Sequence, residues 1–182
     1  MRVFVALPVE GRIADELSLW TQKERQSHPF RKWTHPLDYH ITLQFLGEWP
    51  ESRLEELDAA LRGVAAEPMT LTLNGGGTFG PRAAPRVLWA GAAGDLERLN
   101  ALYMAIVQST QPLGFEAEDR PFAPHITLAR GFAGGDGNWR SEVIASMPSV
   151  HSWLADRFVL MRTRMGASPM YETIGEYALV YS

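Results

Sequence analysis

The chain has 182 residues and no cysteine, which excludes disulfides, thiolate nucleophiles and cysteine-held metals. Long apolar runs are also missing. The opening "RVFVAL" offers about five apolar residues, too short for a signal-peptide core or a membrane span. A cytoplasmic protein without a membrane partner is therefore expected. Positive charge is not in excess: 17 Lys and Arg stand against 21 Asp and Glu, a net charge of −4. That balance argues against a protein tracking long stretches of phosphate backbone, although a small anion or one nucleic-acid end remains compatible. Histidine is scarce, with five in the chain. Two of the five sit in the same tetrapeptide, HITL, at 40–43 and 125–128.

Hydrophobic residues make up 46% of the chain and charged residues 21%, an ordinary globular balance for one domain or two small lobes sharing a core. "RVFVAL" (2–7) reads as a buried strand ending at Pro8. Ile13, Leu17 and Trp20 give helical spacing over 11–26, and 27–38, with two prolines, reads as a loop. In "YHITLQFLG" the residues Ile41, Leu43 and Phe45 alternate with polar ones, a half-buried strand closed by Gly47. Ser52 and Glu55 form a capping-box pattern opening a helix to about residue 65. "MTLTLN" and "RVLWAG" are strands around a Gly/Pro loop. Asp95 caps a helix carrying Leu96, Leu99, Leu102 and Ile106. "APHITLAR" is a strand followed by the glycine-rich loop "GFAGGDGN", a short helix (139–147) and strands at 153–163 and 171–181. One HITL strand per half predicts an internally duplicated α+β unit.

Side chains two apart on a strand share a face, so His40 projects with Thr42, and His125 with Thr127. A lone His-x-Thr is usually an ordinary surface or core pair. Its repetition is what carries the functional reading, because strand packing alone does not demand histidine. If the two strands lie side by side about a pseudo-twofold, the four polar groups converge on one cleft. Two imidazoles can share base and acid roles near neutral pH, while the hydroxyls hold phosphoryl or acyl oxygens. That equipment suits the opening of a phosphodiester. A metal site fits less well: the zincin spacing is absent and no acid lies inside either motif. The nearest acids are Asp38, Glu118 and Asp119.

Gly75, Gly77 and Gly80 match GxGxxG, but prolines 81 and 85 follow where a dinucleotide fingerprint needs a helix. No Lys-Ser/Thr pair follows either, so the stretch is read as a flexible turn. Strict alternation turns Arg130 away from His125 and Thr127 unless the strand bends. Arg31, Lys32 and Trp33 supply cation and stacking groups of the kind that hold an RNA end.

With "RVFVALP", "HITLQFLGE", "RVLWAG", "RPFAPHITLAR" and "YETIGEYAL" in order over nearly its full length, the chain resembles the two-histidine (2H) phosphoesterase superfamily. Within it, the likeness is to the RNA 2′,3′-cyclic phosphodiesterases, the LigT-like or "2′-5′ RNA ligase" family. The resemblance implies one domain over 1–182, made of two pseudo-symmetric lobes with antiparallel sheets around a central cleft. It implies hydrolysis of RNA 2′,3′-cyclic phosphate ends to 2′-phosphates with no metal and no cofactor, and in some members 2′,5′ joining. By motif position His40 is the proton donor and His125 the proton acceptor. Thr42 and Thr127 bind the phosphate, and Arg130, Tyr171 and Trp33 are candidates for touching substrate. The expected partners are RNA 3′ ends or small nucleotides, met by a monomer. Cyclic mononucleotides and ADP-ribose cyclic phosphate fit the same cleft. The alternative from another class is an RNA-end-binding module without useful turnover.

Overall fold

Apolar runs that are β-branched or aromatic build the strands, and 3.6-residue spacing builds the helices between them. In the computed structural model, which describes residues 1–135 and 139–182, the chain begins β1 (Arg2–Pro8), α1 (Arg12–Glu24), β2 (Phe30–Trp33), β3 (His40–Glu48), α2 (Leu54–Arg62) and β4 (Met69–Phe79). It continues β5 (Val87–Gly94), α3 (Leu96–Thr110), β6 (His125–Phe132), β7 (Ser152–Ala155), β8 (Arg157–Thr163) and β9 (Tyr171–Ala178). Among the described residues no helix is long and apolar enough to cross a membrane.

The strands join in the order β7-β4-β5-β6-β3-β1-β8-β9, with β2 beside β3 on the edge of β6. Each of the described pairings is antiparallel. In a flat sheet β7 and β8, six steps apart in that order, would lie roughly 29 Å from each other at ~4.8 Å per strand. Yet one residue, Asp156, separates them in the chain. The sheet must curl, bringing its two ends around to meet.

The recorded register between β3 and β6 is a single pair, Ile41 with Ile126, and both side chains are fully buried. Outward from this seam run β6, β5, β4, β7 on one side and β3, β1, β8, β9 on the other. A helix links the inner two strands of each half: α3 between β5 and β6, α1 between β1 and β3. The helices bury Ile13, Leu17, Leu57, Leu61, Leu102 and Ile106 in the main core. On the opposite face of β1 and β8 a smaller cluster of Phe4, Ala6, Val159 and Met161 packs against Tyr171.

Several sequence expectations are corrected. The segment 27–38 is not all loop: Phe30–Trp33 pairs with β6, and Pro36–Asp38 forms a 3₁₀ turn capped by the His35 side chain. Ser52 does not cap α2, because it lies inside a 3₁₀ turn, Glu51–Arg53, that precedes the helix; α2 then ends at Arg62. Asp95 stands before α3, but its Oδ2 accepts from the Thr70 N–H at 2.9 Å rather than capping its own helix. The short helix after residue 139 is a 3₁₀ turn, Ser141–Ser146. The strand expected over 153–163 is two strands broken at Asp156, where the chain passes from one edge of the sheet to the other half. Of the glycine-rich loop, Gly131 and Phe132 continue β6, and residues 136–138 lie outside the described residues.

Candidate active site

β3 and β6 pair at Ile41–Ile126; continued one residue either way, ideal antiparallel geometry would place His40 opposite Thr127 and Thr42 opposite His125. Since the two isoleucines point into the core, these four side chains share the other face. Both strands then break alternation at the same place. β1 pairs Val5 with Gln44 and Ala6 with Thr42, skipping Leu43; β5 pairs Leu88 with Ala129 and Trp89 with Thr127, skipping Leu128. A bulge at the fourth residue of each motif buries two consecutive side chains, Leu43 and Gln44 or Leu128 and Ala129, and turns the next one outward. Those next residues are Phe45 and Arg130. Strict alternation turns Arg130 away; the bulge returns it to the side of His125 and Thr127, and all three line one cavity.

Both imidazoles are tethered alike. His40 Nδ1 lies 2.6 Å from the Asp38 carbonyl and His125 Nδ1 lies 2.7 Å from the Ala123 carbonyl. A carbonyl can only accept, so Nδ1 carries the hydrogen in each ring, and each Nε2 is left as the working nitrogen. Thr42 Oγ1 sits 3.0 Å from His40 Nε2 and can donate to it. Aromatic rings hold both imidazoles: Phe4 and Tyr171 around His40, at 5.0 and 5.3 Å between centroids, and Phe79 and Trp89 around His125, at 5.0 and 6.0 Å.

This enclosure disfavours the charged form. Burial pushes His40 down to about 4, opposed by the Asp38 carbonyl and carboxylate and reinforced by Arg130 and His125. His125 is lowered as well, first by burial and then by Arg130 against the pull of its tether. Burial raises the Tyr171 hydroxyl. In the free protein at neutral pH both rings are therefore neutral, with a lone pair on Nε2.

The cavity, about 640 Å³, is lined by Thr42, His125, Thr127 and Arg130, together with Tyr103 of α3 and Glu116. His40 does not itself line it and reaches it through Thr42. Tyr171 packs edge-on against His40. Trp33 lies apart from the cavity lining, edge-on to Phe30 at 5.4 Å on the margin of the core. Sequence reasoning missed the aromatic collar (Phe4, Phe79, Trp89) and weighed Asp38 as a metal ligand alone. That carboxylate accepts instead from the backbone N–H groups of Met170 and Tyr171, at 2.8 and 3.1 Å. Among the described residues no three His, Asp or Glu side chains gather as a metal-binding cluster.

The model of the LigT like Phosphoesterase family matches residues 7–89. A Geobacillus stearothermophilus protein named RNA 2′,3′-cyclic phosphodiesterase is 39% identical over 97% of this chain, which spans 57% of that relative's length. A Bacillus subtilis protein of the same name is 35% identical, with 97% of this chain and 95% of the relative covered. Among solved structures, TT0787 of Thermus thermophilus superposes with a TM-score of 0.76 at 28% identity, covering 98% of each chain. E. coli LigT complexed with 3′-AMP superposes with a TM-score of 0.78 at 23% identity, covering 99% of this chain and 98% of that one, a likeness of fold.

Proposed function

Since the chain belongs to the LigT-like RNA 2′,3′-cyclic phosphodiesterase family, we propose that it hydrolyses 2′,3′-cyclic phosphate ends of RNA to 2′-phosphates, by acid–base catalysis with His40 and His125. The observation that carries this reading is the pairing of Ile41 with Ile126, which brings the two motifs together on neighbouring antiparallel strands. Water enters between the cyclic phosphate and His125, whose Nε2 takes its proton as oxygen attacks phosphorus. The bond from phosphorus to the 3′ oxygen breaks, and His40 Nε2–H delivers a proton to that oxygen. Thr42 rotates its hydroxyl from His40 onto a non-bridging oxygen, which opens His40 Nε2 to the leaving group. Thr127 and Arg130 hold the remaining phosphate charge. The anionic substrate also supplies the field that protonates His40, which is neutral in the free protein.

We further read the chain as one domain of two pseudo-symmetric lobes. Matched bulges, matched Nδ1 tethers and matched strand order about the seam support it.

The test is a time course with a short RNA ending in a 2′,3′-cyclic phosphate, in EDTA, followed by phosphorus NMR. Conversion to the 2′-phosphate is expected, with His40→Ala and His125→Ala each slowing it roughly 10²–10⁴-fold. Tight binding of that RNA with no change at its end would instead make the protein an end-binding module.

A further inference from the structure

The two motifs are alike in bulge, tether and aromatic enclosure, but not in the residue that supplies the tether. For His125 it is Ala123, which has no side-chain polar group. For His40 it is Asp38, 3% exposed, whose two carboxylate oxygens both accept backbone N–H groups at the start of β9. Both oxygens of the carboxylate are thus engaged as acceptors. We infer that Asp38 is the positioning residue that makes His40, rather than His125, the proton donor; the inference rests on the phosphodiesterase reading above.

The geometry gives Asp38 three holds on one imidazole. Its carbonyl fixes the Nδ1–H tautomer and the plane of the ring at 2.6 Å. That carbonyl is aimed by a rigid turn: Asp38 N donates to His35 O at 2.8 Å, and the His35 ring accepts from Leu37 N at 3.1 Å. The carboxylate pins Met170 and Tyr171, and the Tyr171 ring stands perpendicular to His40, 5.3 Å between centroids. The charge of Asp38 also acts on His40 in the direction that favours the imidazolium, which must form before the 3′ oxygen is protonated. The charged and titratable groups facing His40 are Asp38 itself, Tyr171 of β9, and Arg130 and His125 of β6. Asp38 is the anion among them. His125 shares its cavity with Arg130, Glu116 and Glu118, and besides burial the groups that shift it are the Ala123 carbonyl and Arg130. The same tether therefore serves an acid on one side and a base on the other.

Bond breaking to the 3′ oxygen needs an acid because an alkoxide is a poor leaving group, whereas a thiolate leaves without one. The experiment compares a short RNA ending in a 2′,3′-cyclic phosphate with its analogue carrying sulfur at the 3′ bridging position of that end, using wild type, Asp38→Asn, Asp38→Ser and His40→Ala. On the oxygen substrate, both Asp38 variants should lose about tenfold or more in kcat with KM nearly unchanged, a part of the general-acid effect. On the sulfur substrate they should approach wild-type rates, as His40→Ala should. Asp38→Ser keeps an acceptor for one backbone N–H and covers the case in which Asp38→Asn does not fold. Equal losses on both substrates would reduce Asp38 to a wall of the cleft, and no loss on either would remove it from the reaction; both outcomes overturn the inference. A wild-type protein inert toward both substrates would overturn the phosphodiesterase reading, and this inference with it.

Discussion

An imidazole keeps a proton at neutral pH only where its surroundings stabilise the charge, and in the free protein those of His40 do not. Its folded pKa of about 4 lies below the ~6.5 of an unfolded chain. As the pH falls through 6.5 the unfolded chain takes up a proton that the folded one refuses. Stability therefore drops across this window and stops changing on this account below about 4. The difference in thermal midpoint between about pH 7 and pH 5 should be smaller in His40→Gln than in the wild type, read by circular dichroism. Equal slopes would mean that His40 titrates normally. Both histidines and both threonines were legible as site candidates because the tetrapeptide repeats and alternation puts each pair on one face. The direction of Arg130 was not legible, since a bulge has no reliable mark in sequence. Nor was the part played by Asp38, whose partners Met170 and Tyr171 stand more than 130 residues away.

At the scale of elements, "GGGTFG" is the instructive case. Glycines followed by prolines usually punctuate a chain, so the sequence predicts a turn over 75–80. The structure instead runs β4 through to Phe79, with Gly76 opposite Ala90 and Gly77 opposite Trp89. A Cβ at Gly77 would collide with the Trp89 ring, and one at Gly76 with the Met147 side chain and the Trp89 carbonyl. These glycines leave room for a close neighbour, their other common use in a strand. Trp89 is in turn part of the collar around His125. Gly77→Ala should therefore keep the fold at a cost of about 1–3 kcal/mol, shift tryptophan emission and slow turnover. Unchanged emission and rate would show that Trp89 does not depend on the gap. Helix positions were more legible, because α1 and α3 bury the residues their spacing marks: Ile13, Leu17 and Trp20, then Leu99, Leu102 and Ile106. Leu96, expected on the same stripe, is exposed at the first turn of α3.

For the molecule as a whole, nothing in the repeated motif showed that the pairing between β3 and β6 is one residue deep. Ile126→Ala should remove about 2–5 kcal/mol of stability, as any such core truncation does. It should also lower kcat, because the seam aligns His40 with His125. Leu61→Ala, in the core under α2, should cost similar stability, measured by urea denaturation, and leave kcat near normal. If both variants lost activity in step with stability, the seam would be ordinary core. The curl of the sheet escaped the sequence for a different reason. Its sign is the junction at Asp156, and which strands flank that junction is settled only by long-range pairing. The matched tethers carry one more consequence. Each Nδ1 is committed to a carbonyl, so both rings exchange protons through Nε2 alone. In the proposed cycle His40 takes up its proton with the substrate and gives it to the 3′ oxygen, while His125 ends holding one from water, so the protein that releases product carries a proton the free protein lacks. Shedding that proton to solvent is a kinetic step of its own.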